Sequence, residues 1–246
     1  MGARLAWHRC SMTAGPRQIP QLRAGVLERL AGIERELMIA HLNRQLYQEM
    51  RDEILKRHPI ADATFLNSYA GMYWRSQAML VRRLADATDG PDSLWNLIGR
   101  IRSNPAIASR NTLVDEVRSR SLPEIAEDAY ADRSTEYGGA DVPPDRLLAE
   151  MQQSLTVELQ AVTTWVTRNV AHRDPRGPLQ PLTYGEIDAA LDHVTQLTNE
   201  VSSMLRYQRT DYSLITIQGD WQQCFRPALF AVPADVYAWP DPSGYS

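Results

Sequence analysis

Apolar residues recur at every third or fourth position along most of this chain, which is the period of an amphipathic helix. The pattern is clearest in residues 22 to 57 and repeats in residues 62 to 88, so each range predicts one long helix. His58-Pro59 ends the first helix, because the residue before a proline is disfavoured in helical conformation. Ser93 is a suitable N-cap for a shorter third helix with the sequence LWNLIGRIR.

Three further helical stretches are predicted in the second half of the chain. Residues 111 to 130 have a patchier apolar pattern, and a Pro-Pro pair at residues 143 to 144 opens a long helix whose last full turn is Arg168 to His172. Thr183 then has the features of an N-cap, with Glu186 three residues later as its capping-box partner. The last helix that follows carries apolar residues at Leu191, Val194, Leu197, Val201 and Leu205.

The two ends of the chain lack this period. Residues 1 to 19 predict a disordered tail, and residues 208 to 246 predict an irregular arm that packs its aromatic side chains on the helices. The arm contains one strand-like run, YSLITI, and a single short strand does not make a stable sheet. The sequence therefore predicts an all-α protein with a bundle of long antiparallel helices in residues 20 to 207.

Composition narrows the class of protein. A net charge of -4 argues against broad nonspecific binding to nucleic acid, although it leaves room for a local basic patch. Cys10 and Cys224 stand far apart and lack metal-ligand spacing, which favours a reducing environment. No apolar run is long enough to cross a bilayer. We therefore expect a cytoplasmic protein that does not attach to membranes.

The segment TRNVAHRDPR, which begins at Thr167, carries the candidate chemistry. Residues four apart in an α-helix share a face, so Arg168 and His172 can address a single ligand. Arginine offers a planar set of donors to phosphate oxygens, and histidine exchanges a proton near neutral pH. These abilities suit metal-free RNA cleavage, in which a base takes the 2′-hydroxyl proton and a cation stabilises the developing charge. Further phosphate contacts are predicted for Asn169, Arg173 and Arg176.

Each candidate also has a purely structural interpretation. An arginine and a histidine at a helix end are equally suited to satisfying the last backbone carbonyls. Arg82 and Arg83 either line the same groove as RNA-binding residues, or one of them pairs with Asp86 or Asp89 while the other is exposed. Asp188 and Asp192 lie four apart, as a dimetal or acid/base pair does, but no His or second carboxylate pair is placed to complete a site, which favours a solvated helix face. No cofactor-binding motif is present either, so neither a metal nor a cofactor is expected.

Three segments together resemble the HEPN superfamily, and in particular its abortive-infection (AbiU-type) branch. RNVAHRD lies at the end of a long helix and is followed by a loop and a last amphipathic helix. LVRRLADATDGPDSLWNLI is a long helix that ends in an Arg-Leu-x-Asp-x-x-Asp segment before a short helix, and GDWQQCFRP lies near the end of the chain. The resemblance covers most of residues 22 to 227.

The resemblance implies an α-helical bundle that forms a homodimer and acts in phage defence or in a toxin–antitoxin system. Active members are metal-independent ribonucleases in which an Arg and a His form the site. The matching catalytic residues here are Arg168 and His172, with RNA as the substrate and an antitoxin or another protein as a further partner. The residues assigned to RNA binding are Asn169, Arg173, Arg176, Arg82 and Arg83.

Two functions remain open at this point. Active members have a longer spacing between the Arg and the His than the three residues that separate Arg168 from His172. An endoribonuclease fits the cluster of basic residues, whereas a noncatalytic HEPN-like module for dimerisation or partner binding fits the shorter spacing.

Overall fold

The computed structural model of the protein describes residues 18–57, 63–88, 92–120, 123–171, 180 and 182–212. Its helices are α1 (Ile19–Arg57), α2 (Ala63–Leu84), α3 (Leu94–Ser103), α4 (Arg110–Ser119), α5 (Pro123–Glu136), α6 (Asp145–Glu158), α7 (Gln160–Val166) and α8 (Tyr184–Arg206). A 3-10 turn, Pro105–Ala108, precedes α4, and a π-helical turn, Thr167–Ala171, follows α7 directly. These described residues include no β-strand, so the predicted all-α class is confirmed. Most of the predicted tail and arm lies outside them.

The helices at the start of the chain agree with their predicted positions. The α2 helix ends at Leu84 because the next residues form local hydrogen bonds instead. The Asp86 carboxylate accepts the backbone N–H of Thr88 at 2.9 Å, which closes a turn. Ser93 caps α3, as predicted, since its hydroxyl accepts the backbone N–H of Asn96 at 3.1 Å.

The chain divides into two compact units. The first contains Met1–Met38 and Trp74–Asp211, and the second contains Ile39–Tyr73 and Tyr212–Ser246. Both α1 and α2 therefore contribute residues to each unit.

Aromatic rings pack together in the second unit. Tyr47 stacks on Tyr73 with ring centroids 4.5 Å apart, and on Tyr69 with centroids 6.2 Å apart. The ring of His41 stacks on that of Tyr212 at 5.0 Å. Such aromatic pairs contribute about 0.5–1.5 kcal/mol beyond the area that they bury.

The first unit has an aliphatic core. In this unit α3 packs on α6, α4 packs on α5, and α8 contacts α4, α6 and α7. Burial of each such side chain stabilises the fold by about 1.5–3 kcal/mol. The fully buried aliphatic side chains include Leu30, Leu84, Leu94, Ile98, Ile101, Leu113, Leu148, Leu155, Leu159 and Leu191.

The α8 helix is capped at both ends. The hydroxyl of Thr183 accepts the backbone N–H of Glu186 at 3.2 Å, and the Glu186 carboxylate accepts the backbone N–H of Thr183 at 2.7 Å. The predicted capping box is thus confirmed. At the other end Tyr207 takes a left-handed conformation with φ of 54° and donates its backbone N–H to the Ser203 carbonyl at 2.9 Å.

A buried arginine connects distant parts of the first unit. Arg23 is 7% exposed and donates to the backbone carbonyls of Ile107 and Leu205, at 2.6 Å each. Burial lowers the pKa of its guanidinium, and a nearby carboxylate, Glu116, opposes that effect from 3.7 Å. The arginine thus satisfies carbonyls at the end of α8 and in the 3-10 turn that no helix neighbour satisfies.

Two predicted helical stretches are divided in the structure. The stretch predicted at 111 to 130 is two helices, and α5 begins at Pro123 because a proline fits only the first turn of a helix. The long helix predicted from the Pro-Pro pair to His172 breaks at Leu159, whose φ of -96° and ψ of 4° lie outside regular α geometry. The β-branched pair Thr156 and Val157 immediately before this break weakens the helix locally.

Candidate nucleic-acid interface

The candidate site lies where α7 turns into a π-helix. Sequence reasoning placed the last turn of an α-helix at Arg168 to His172, and this prediction is wrong for Thr167–Ala171, which is π-helical. β-Branched residues are crowded just before that turn, at Val162, Thr163, Thr164 and Val166, and at its first residue, Thr167. Such residues lose side-chain freedom in an α-helix, which lowers its stability.

Side chains also compete for the backbone acceptors at this point. The Thr167 hydroxyl donates to the Thr163 carbonyl at 2.8 Å, and the Asn169 amide donates to the Trp165 carbonyl at 3.1 Å. The Thr163 carbonyl also accepts the backbone N–H of Thr167, and side-chain bonds to a helix's own carbonyls bend or loosen helices. The backbone continues from Thr167 as a π-turn, in which hydrogen bonds run from i to i+5.

Arg82 from α2 contacts the π-helix. Its Nε–H donates to the hydroxyl of Thr167 at 3.1 Å. Nearby, the indole rings of Trp74 and Trp165 pack with centroids 4.5 Å apart, so α2 and α7 are in contact. Trp165 is 6% exposed, which makes it part of the core rather than a surface for stacking on bases.

The four residues Arg82, Thr167, Arg168 and Asn169 form what we call the Thr167 cluster. Arg168 and Asn169 are half-buried in the π-helix, next in sequence to the residue that holds Arg82. Of the predicted site residues, Arg82 thus contacts the π-turn through Thr167, and Arg168 and Asn169 are the next two residues of that turn. The others on this segment, His172, Arg173 and Arg176, lie outside the described residues.

Arg83 belongs to a different surface. Its guanidinium forms an ion pair with Glu36 of α1, whereas the structural interpretation paired one of Arg82 and Arg83 with Asp86 or Asp89. The other predicted acidic partner, Asp89, lies outside the described residues. The pKa of Asp86 is lowered mainly by its hydrogen bond from the Thr88 backbone, and the charge of Arg82 is the smallest contribution. Two adjacent arginines at the end of α2 therefore serve separate parts of the first unit.

Thr167 is the residue of the candidate site that sequence reasoning missed. Its hydroxyl accepts the hydrogen bond from Arg82 and donates to the Thr163 carbonyl. Its crowding with other β-branched residues was the available signal, because threonine in such a run is prone to bond its own helix.

Two classes of feature are absent from the part of the chain that the structure describes. No group of three or more His, Cys, Asp and Glu side chains among the described residues is placed to hold a metal ion. None of the described helices combines the length and the apolar character that crossing a bilayer requires.

Comparison of the chain with protein-family models, with curated proteins and with solved structures finds no match.

Proposed function

We propose that this chain is a HEPN-like helical protein of phage-defence or toxin type that binds RNA at the Thr167 cluster. The observation that carries this proposal is the hydrogen bond from Arg82 to Thr167, which joins a cation on α2 to the π-helix carrying Arg168 and Asn169. The guanidinium groups of Arg82 and Arg168 and the amide of Asn169 are hydrogen-bond donors that suit phosphate oxygens. The position of the π-turn supports the proposal further, since π-turns occur frequently at functional sites.

In the catalytic form of the proposal, the segment cleaves RNA without a metal. His172 takes the proton of a 2′-hydroxyl, and the 2′-oxygen then forms a bond to the adjacent phosphorus. The bond from phosphorus to the 5′-oxygen breaks, which leaves a 2′,3′-cyclic phosphate, and the departing 5′-oxygen receives the proton that His172 took. Arg168 binds the phosphate and stabilises the negative charge that develops on its oxygens.

A second candidate is a noncatalytic HEPN-like module that dimerises or binds a protein partner, such as an antitoxin. Two observations favour it. Three residues separate Arg168 from His172, fewer than in active members of the superfamily. The turn that carries Arg168 is also π-helical rather than α-helical, so the shared face expected for residues four apart does not follow from helix geometry.

Cleavage of labelled RNA in EDTA separates the two candidates. We expect the full chain to cleave RNA, and we expect His172→Ala and Arg168→Ala to abolish cleavage while circular dichroism shows an intact fold. Arg100→Ala is the matched control, because Arg100 is an exposed arginine of α3 that does not belong to the cluster. No cleavage by the wild type, or cleavage that survives both substitutions, would leave the noncatalytic module.

RNA binding is tested separately by fluorescence anisotropy at several salt concentrations. Each phosphate contact contributes roughly one unit to the slope of log affinity against log salt. Arg82→Gln should therefore weaken binding and reduce that slope by about one, whereas Arg100→Gln should change neither. Equal effects of the two substitutions would contradict RNA binding at the Thr167 cluster.

A further inference from the structure

A second feature of the first unit lies outside the Thr167 cluster. A recess of about 390 Å³ opens beside the middle of α1, and we call it the Gly32 recess. This volume is within the range of sites for small molecules, roughly 300–1,000 Å³. Its charged and glycine lining includes Arg29, Gly32, Arg35, Glu36, Arg83 and Asp92.

A missing side chain keeps the recess open. Gly32 lies inside α1, where glycine is less stable than alanine, and a Cβ placed on it meets no atom within 4 Å. A side chain longer than a methyl group at this position would extend into the open space. Gly25, one heptad earlier on the same helix, also has no atom within 4 Å of an added Cβ but does not line the recess.

The arginines of the recess retain donors that no carboxylate uses. Arg29 pairs with Asp92, and Arg83 pairs with Glu36, in each case through a single nitrogen. The Arg83 and Glu36 side chains are each 40% exposed, so water screens their attraction and other ligands can compete for it. Because a guanidinium has five N–H donors, both arginines can bind a further acceptor without losing their carboxylates.

A third arginine is uncommitted. Arg35 is exposed, and it makes no hydrogen bond or ion pair with any other residue that the structure describes. Glu28 is the acidic lining residue that is likewise unpaired within the described chain. The paired carboxylates hold two guanidiniums in place, and Arg35 adds a third guanidinium whose donors no described residue uses, opposite in charge to the unpaired Glu28.

We propose that the Gly32 recess binds a compact phosphate-bearing anion, with Arg29, Arg35 and Arg83 as its donors. Arginine forks match the geometry of phosphate oxygens. Among the described residues that line the recess, none is aromatic, which favours a small phosphate compound over a nucleoside whose base would need a ring to stack on. This site is independent of the function proposed for the Thr167 cluster.

Isothermal titration of the full chain with inorganic pyrophosphate tests the proposal. Arg35→Gln should weaken binding about tenfold or more, as expected for the loss of a charged hydrogen bond. Glu28→Gln should strengthen it, because a repelling carboxylate is removed. Gly32→Leu should abolish binding by filling the recess, whereas Gly25→Leu, the matched control, should retain it.

The proposal of phosphate binding at the Gly32 recess can be contradicted separately from the proposal of RNA binding at the Thr167 cluster. Arg168→Ala should leave pyrophosphate binding unchanged. Absence of binding by the wild type, or equal binding by wild type, Arg35→Gln and Gly32→Leu, would overturn the proposal.

Competition with a short single-stranded RNA identifies the source of the phosphate. Displacement of pyrophosphate assigns the site to the RNA backbone, and lack of displacement assigns it to a small phosphate compound.

Discussion

The last helix and the helical run before it differ in how regular their backbones are. The α8 helix is α-helical from Tyr184 to Arg206 and is capped at both ends. The run that begins at Asp145 breaks at Leu159 and ends in the π-turn Thr167–Ala171. Both have a buried apolar face, so burial alone does not explain the difference.

The distribution of β-branched residues accounts for it. In α8, the hydroxyls of Thr195 and Thr198 each donate to a carbonyl one turn earlier, at 2.8 Å, and the helix stays regular. Near the end of the run that begins at Asp145, threonines and valines are adjacent in the sequence between residues 162 and 167, and the backbone adopts a π-turn. A single β-branched pair, Val194 and Thr195, is thus tolerated in α8, whereas five β-branched residues lie among the six at 162 to 167, where the backbone changes its hydrogen-bonding register. The proposed RNA site lies on the less regular of the two.

The largest predicted effect tests whether the two runs are packed equally well. Leu191 of α8 and Leu155 of α6 are both fully buried. Leu191→Ala and Leu155→Ala should each lower the free energy of unfolding by about 2–5 kcal/mol, through lost burial and the cavity left behind. Chemical denaturation measures both. A much smaller loss for Leu155→Ala would show that the irregular run is also loosely packed.

The next effect concerns the cap of α8. Thr183→Ala removes the hydroxyl that accepts the Glu186 N–H, and it should lower stability by about 1 kcal/mol without affecting chemistry. Thr183→Ser is the control, because it keeps the hydroxyl. An unchanged melting temperature for Thr183→Ala would contradict the role given to this cap.

A smaller effect is expected from relieving the crowding before the π-turn. The double substitution Thr163→Ala and Thr164→Ala should stabilise the local helix by roughly 0.5 kcal/mol, because alanine has the higher helix propensity. Hydrogen exchange should then show greater protection of Thr167–Ala171. Thr195→Ala in α8 is the matched change and should leave the protection of that segment as it was. Unaltered protection in the double variant would argue against crowding as the cause of the π-turn.

The smallest predicted effect is a pH dependence of stability, which arises from one carboxylate in the first turn of α8 and one in the first turn of α6. Hydrogen bonds from Thr183 lower the pKa of Glu186, and a hydrogen bond from Arg102 lowers that of Asp145. Because the pKa of each carboxyl is lower in the folded protein than its ordinary value, each carboxylate adds to the stability of the fold. This contribution is fully present above the ordinary pKa, 4.5 for Glu186 and 3.8 for Asp145, and it is lost as the pH falls through the lower pKa of the folded protein. Glu186→Gln and Asp145→Asn should therefore lower the melting temperature slightly at pH 7, with the difference from wild type closing in acid. A difference that persists in acid would exclude charge as its origin.

Local signals in the sequence predicted much of the first unit. The periodic apolar residues predicted the long helices, and the caps at Ser93 and Thr183 were predicted because an N-cap depends on residues three positions apart. The partner of Arg83 was missed, since Glu36 is distant in sequence and only packing brings the two together. The π-turn was missed because the apolar period fixes the buried face of a helix and not its hydrogen-bonding register.

The contact of Arg23 with Leu205 has a consequence for biosynthesis. The two residues are 182 positions apart, so at ordinary rates of translation the acceptor is made roughly 10–40 s after the donor. During that interval the nitrogen of Arg23 that donates to Leu205 lacks this acceptor, and the start of α1 lacks its connection to the end of α8. The first unit can therefore close only after Leu205 has been made, which gives factors that bind nascent chains time to act on α1.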